Sequence, residues 1–188
     1  MTPTVQSHPG KARISPAALI ASLFAALWLA GCASPANREA MVPQDLPVAR
    51  THPYIVSVQA SGGADTGAMD SSNISDDDLK AAIEEAVTQN KVFRSVVQGK
   101  DGDYELSVRV TRLTKPLFGM TFTVEMEAAW SLTRVADRAV VMRKSINASG
   151  SAGAGDSLIG VKRLRLAVEA AARANIAEGL KALSALTL

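Results

Sequence analysis

Between Tyr104 and Leu132 the chain alternates. In YELSVRVT, Tyr104, Leu106, Val108 and Val110 are separated by Glu105, Ser107, Arg109 and Thr111. In TFTVEMEAAWSL, Phe122, Val124, Met126, Ala128, Trp130 and Leu132 alternate with Thr121, Thr123, Glu125, Glu127 and Ser131. Successive strand side chains point to opposite faces, so a period of two sustained this long predicts two strands with one dry and one wet face, the pattern of an antiparallel sheet. Pro116 and Gly119 punctuate a turn between them, and equal-parity pairing across it sets Arg109 opposite Glu125 or Glu127. A third run, Ala139–Ala148, keeps Val140, Met142 and Ile146 on one face but breaks at Val141 and Lys144, as an edge strand does. Tyr54–Val58, rich in β-formers, reads as a first strand, and Val92–Val97 as a short one.

Two segments follow the helical period instead. Ser75 is placed to cap a helix, Asp78 stands where a capping-box acceptor belongs, and Ile74 and Leu79 occupy the two positions of a hydrophobic staple. Asp76, Asp77 and Asp78 then fall in the first turn, where the helix dipole favours negative charge. Leu79, Ala82, Ile83, Ala86 and Val87 line one face, giving an amphipathic helix over residues 75–90. The second helix spans residues 160–186, with Leu164, Val168, Ala172, Ile176, Leu180 and Leu183 stepping by four and three. Lys162, Arg163, Arg165 and Arg173 read as its solvated face, or as cations that meet acidic lipid headgroups. Gly179 costs about 1 kcal/mol relative to alanine inside a helix, which points to a close contact there. SGSAGAGDS, residues 149–157, reads as a flexible loop.

The order strand, helix, short strand, three strands, helix gives an α+β fold: two layers, an antiparallel sheet of four to five strands with both helices packed on one face. This single domain occupies residues 53–188.

The first thirty residues lie outside that pattern. Lys11 and Arg13 precede the apolar run AALIASLFAALWLA from Ala17 to Ala30, which is shorter than the about 20 residues a membrane span needs and ends in small residues. That is the plan of a secretory signal peptide over residues 1–31. The full chain carries 20 Lys and Arg against 18 Asp and Glu. Lys11 and Arg13 leave with the signal, so the mature balance is neutral, and the strong positive field that nucleic-acid binding needs is missing. Residues 32–52, with prolines at 35, 43 and 47 and a fourth directly after at 53, have no apolar period. They read as an extended tether that would hold the domain clear of a membrane, or as an ordered arm laid on the domain through Met41, Val42, Leu46 and Val48.

The stretch Leu29-Ala30-Gly31-Cys32 contains the chain's one cysteine and resembles the lipobox of bacterial lipoprotein signal peptides. The resemblance implies cleavage between Gly31 and Cys32, diacylglycerol on the Cys32 thiol and an acyl chain, such as palmitate, on the new amino terminus. Two or three acyl chains on one residue make a stable anchor where one alone is marginal. With Ala33 rather than aspartate after the cysteine, the implied address is the outer membrane, facing the periplasm. The run DDLKAAIEEAVTQNKVFRSVVQGKDGDYELSVRV resembles auxiliary periplasmic lipoproteins of envelope transport and assembly, including lipopolysaccharide-assembly and curli-secretion types.

Materials for catalysis are sparse. His8 leaves with the signal, His52 stands at the end of the tether and Cys32 is consumed by lipid, so no Ser-His, Cys-His or metal-ligand histidine set is expected. Three consecutive helical aspartates point about 100° apart and do not converge on one ion. Gly150, Gly153 and Gly155 do not follow the dinucleotide-binding order, and no cofactor is expected beyond the lipid on Cys32. Glu125 and Glu127 share a strand face, where acids more often serve solvation or pairing than chemistry. The expected function is therefore a nonenzymatic accessory or assembly module of an envelope transport or secretion complex. The other reading is a carrier or sensor of a small apolar ligand or glycan, held between sheet and helices beside Phe122, Met126 and Trp130. Leu117, Phe118 and Met120 crowd a turn where polar residues belong, and either fold back over the sheet end or contact a protein partner or membrane.

Overall fold

The computed structural model describes residues 34–67 and 71–188. The expected signal peptide, the cleavage site at Gly31 and the lipidation site at Cys32 lie outside the described residues. The elements are α1 (Arg38–Met41), β1 (His52–Ser61), α2 (Asp76–Gln89), β2 (Phe93–Val97), β3 (Tyr104–Thr114), β4 (Phe122–Arg134), β5 (Val140–Ala152) and α3 (Gly160–Ser184).

Helix α2 begins as its sequence dictates. The Ser75 hydroxyl accepts the Asp78 amide at 3.1 Å and donates to the Asp78 carboxylate at 2.7 Å, and Ile74 and Leu79 are both buried as the staple requires. Asp76 accepts the Gly63 amide at 2.7 Å, which ties the helix start to the exit of β1. Ser75→Ala is expected to cost about 1 kcal/mol, read from chemical denaturation; an unchanged midpoint would mean the cap carries no stability.

The α+β expectation holds, with five strands in the order β2-β1-β3-β4-β5 and both long helices on one face. Helix α2 covers β1 and β2, and α3 covers β4 and β5. Along β4, Phe122, Val124, Met126, Ala128, Trp130 and Leu132 are all buried, so the period of two marks the dry face without a break. The sheet is mixed rather than wholly antiparallel: β3-β4 and β4-β5 pair antiparallel, whereas β1 runs parallel to both β2 and β3. The helical crossover through α2 makes the first parallel pair possible. The second depends on stagger. β2 lies beside residues 52–57 of β1 and β3 beside residues 56–61, so residues 98–103 need only pass from one side of β1 to the other.

Two local expectations are corrected. Arg109 faces Ala129, not Glu125 or Glu127, because the hairpin is centred later than the Pro116–Gly119 turn implied: Thr114 already faces Glu125 at the loop end and Arg112 faces Glu127, and the slip between Val110 and Arg112 shifts the register by a single residue. Strand β5 also runs on to Ala152, so residues 149–152 are strand rather than flexible loop. Gly150 faces Val124 on β4 and lies directly under the backbone of α3.

Residues 34–51 pack as the ordered arm, the second of their two readings, and supply no spacer. Met41 and Val42 are buried, and Leu46 and Val48 pack on the core. The arm runs between the helices from one end of the domain to the other. Ala36 N–H donates to Asn73 at 3.1 Å and Asn37 N–H to Glu169 at 2.8 Å. Arg173 then donates to the Ala40 carbonyl at 2.6 Å, Leu46 N–H to Asn90 at 2.9 Å, and Ala49 N–H to the Ser184 hydroxyl at 3.2 Å. Arg173 therefore holds the arm instead of standing free. His52 closes it, buried, with Nε2 3.0 Å from the Leu183 carbonyl and its ring 5.1 Å from Phe93.

Candidate functional site

At one end of the domain two loops project side by side. The first joins β3 to β4 and carries Leu117, Phe118 and Met120, which are 93%, 86% and 74% exposed; they do not fold back over the sheet. The second joins β5 to α3 and carries Leu158 and Ile159, followed by Val161 in the first turn of the helix, at 88%, 64% and 40%. Pairing of Phe122 with Ala152 brings the two loop bases together. Arg163 then clasps them. Its guanidinium lies 5.3 Å from the centre of the Phe122 ring and donates to the carbonyls of Ser157 at 2.9 Å, Leu158 at 3.1 Å and Gly119 at 3.4 Å. A cation over an aromatic face with its donors on loop carbonyls is a structural clamp, not the solvated charge expected from the helical wheel.

The arm begins at this same end. Asn73 accepts from Ala36 on its backbone carbonyl and from the Lys115 ammonium on its side chain, and Lys115 stands two residues before Leu117. Ser34, Pro35, Ala36 and Asn37 line a shallow depression with Asp78 and Arg165. Leu158, Ile159 and Val161 were not singled out from the sequence; the available signal was two adjacent large apolar residues leaving a glycine-rich loop, where neither helix nor strand periodicity would bury both.

The opposite end carries a notch lined by Tyr54, Gly102, Asp103, Tyr104, Arg134, Val135 and Ala136. Tyr54 and Tyr104 meet edge to face with centroids 5.1 Å apart. The Asp137 carboxyl beside it is held below its ordinary range, chiefly by the Ala139 amide and also by Arg134 at 3.0 Å. These contacts shape the β4-β5 turn.

The remaining candidates are dispersed. Glu125 is exposed on the wet face, and Glu127 accepts the Ser145 hydroxyl at 2.9 Å. Among the described residues no three His, Cys, Asp or Glu side chains gather as a metal site, and no helix is long and apolar enough to cross a membrane. Phe122, Met126 and Trp130 are buried in the core, and Trp130 is packed so closely on α3 that a Cβ at Gly179 would lie 2.5 Å from its ring. The close contact expected at Gly179 is therefore present.

No known family model matches the chain, and no curated protein does. Among solved structures, protein XCC0632 from Xanthomonas campestris is similar with a TM-score of 0.52 at 15% identity, covering 80% of this chain and 90% of its own. The protein CT253 from Chlamydia trachomatis also reaches a TM-score of 0.52, at 6% identity over 70% of this chain and 96% of its own. At these identities the likeness is one of fold. The PelC dodecamer from Paraburkholderia phytofirmans is more distant in shape, with a TM-score of 0.49 at 13% identity over 73% of this chain and 93% of its own.

Proposed function

We propose that the chain is a lipid-anchored protein of the outer membrane, facing the periplasm, and a nonenzymatic accessory module of an envelope transport or assembly complex. The anchor is Cys32, carrying diacylglycerol on its thiol and an acyl chain on its amino group. The observation that supports this reading is the start of the ordered arm. Ser34 lies two residues after Cys32, at the end of the domain where Leu117, Phe118, Met120, Leu158 and Ile159 are exposed. An extended residue spans at most about 3.6 Å. A lipid on Cys32 would therefore bring this apolar end to the membrane surface, and the remaining sheet face would stay open to a protein partner.

Metabolic labelling with a fatty acid tests the anchor: the wild-type chain is expected to take up label and to sediment with outer membranes, and Cys32→Ala to lose the label. Label retained in Cys32→Ala overturns the assignment of the site, and recovery of the labelled protein with inner membranes overturns the address. For the accessory role, crosslinking in intact cells is expected to join the protein to one envelope complex at fixed stoichiometry, and a protein that crosslinks to nothing in the envelope contradicts it.

A further inference from the structure

The apolar end has a chemistry of its own. Five large apolar side chains from two loops stand exposed together beside Val161 of the first helical turn, and Arg163 holds those loops in one arrangement instead of leaving them to collapse on the sheet. Exposed apolar clusters of this kind on a folded domain mark interaction surfaces. The adjacent charges are also placed against the needs of the fold. Helix α3 has no acidic residue in its first turn and carries Lys162, Arg163 and Arg165 in its first two turns, where the helix dipole disfavours cations. Arg163 is used as the clamp and Arg165 reaches Glu169 at 3.4 Å, while Lys162 is exposed. Of the acidic groups of this end, Asp76 accepts from Gly63, Asp78 from Ser75 and Asp156 from the Gly153 amide at 2.7 Å, and Asp65, Asp76, Asp77 and Asp156 are exposed.

We infer that this end is a membrane-insertion surface, with Leu117, Phe118, Met120, Leu158 and Ile159 entering the acyl boundary of a phospholipid bilayer and the exposed Lys162 meeting headgroup phosphates. Apolar side chains at the acyl boundary, with cations at headgroup level beside them, are the two components of interfacial binding. The choice of a bilayer over a protein rests on where the chain outside the structure attaches. Ser34 is at this end and nowhere else, so an anchor at Cys32 delivers these side chains to lipid before any other surface. The inference thus rests on the lipid-anchor reading, and it makes the contact two-fold: acyl chains on the cysteine, and a wedge from the folded domain that fixes its orientation.

Phe118→Trp tests it in the full-length chain, processed in cells, purified in detergent and reconstituted into phosphatidylethanolamine and phosphatidylglycerol vesicles. The native Trp130 is buried and supplies a constant background. Brominated acyl chains are expected to quench most of the fluorescence added by the new indole and to leave the wild type nearly unchanged. An added signal that bromine does not touch overturns the inference, and so does an indole shielded from water but unquenched, which would assign the surface to a protein partner. Fatty-acid label on the same preparation separates the two readings. If label is absent, the anchor reading fails alone, and quenching on added vesicles still decides the inference.

Discussion

Gly150→Ala is expected to cost about 3 kcal/mol, the upper end of what overpacking usually costs, and Gly150→Val to abolish folding. A Cβ at this position would sit 2.1 Å from the Ala171 nitrogen, 2.5 Å from the Ala170 carbonyl carbon and 2.6 Å from the Ala167 carbonyl oxygen. All three are backbone atoms of α3. No rotamer change relieves such a clash, so the helix would have to lift from the strand and uncover Ala167, Val168, Ala171 and Ala172, all now buried. Gly155→Ala is the control, since a Cβ there meets nothing within 4 Å; it is expected to be neutral or slightly stabilising. Urea denaturation followed by circular dichroism gives both values. Equal stability of the two variants would mean that α3 does not rest on β5 at Gly150.

Trp130→Ala is expected to cost about 3–5 kcal/mol, through lost burial and the cavity left behind. The ring is fully buried, and its indole N–H donates to the Asn175 side-chain oxygen at 3.0 Å. Asn175 in turn donates to the Ile146 carbonyl at 2.8 Å and the Met126 carbonyl at 3.4 Å, so one buried amide joins α3 to two strands. Removing the indole therefore also strands a buried acceptor, a penalty of about 1–3 kcal/mol that Trp130→Phe isolates. Gly179 supplies a sharper test. With Trp130 in place, Gly179→Ala is expected to destabilise, since the ring is 2.5 Å from the new Cβ and the gain of about 1 kcal/mol in helix propensity does not offset the clash. In the Trp130→Ala background the same substitution is expected to stabilise, because the clash is gone and the propensity gain remains. Thermal denaturation of the four proteins reads this reversal directly, and an additive cycle would falsify the close contact.

Most elements were legible because each announces itself within a few residues. The capping box at Ser75, the alternation through β4 and the step of α3 from Val168 to Leu183 are local patterns, and each bounds its element to within a few residues. The expected two layers followed from having two apolar helical faces and one dry sheet face to cover. Features that escaped share a different cause. The parallel pairing of β1 depends on which distant strands lie beside it, and Val56, Ser57 and Val58 are buried in succession, as on a strand covered on both sides. The bulge after Val110 changes register without breaking the alternation ahead of it. Gly150 resembles loop in a run of small residues, yet glycine is required there by a helix more than fifteen residues further along the chain. Asn175 and Glu169 fall on the buried face of α3, where a polar residue reads as an interruption until its partners in β4, β5 and the arm are known.

The candidate site divides in the same way. Leu117, Phe118 and Met120 were conspicuous in the sequence because a turn with proline and glycine has no periodic reason to hold three large apolar residues. Their neighbours Leu158, Ile159 and Val161 were not, since nothing in the sequence places residue 158 beside residue 118. By itself, then, the sequence determined the elements, the two-layer class and the resemblance around Cys32, all of which rest on spacings shorter than a helix turn or a strand. Only the tertiary structure decided that residues 34–51 are an arm and not a spacer, that the arm begins at the end carrying both apolar loops, and that Arg163 holds those loops together. These are contacts across up to 137 residues of chain, and such pairings are set by the packing of whole elements rather than by any pattern within one of them.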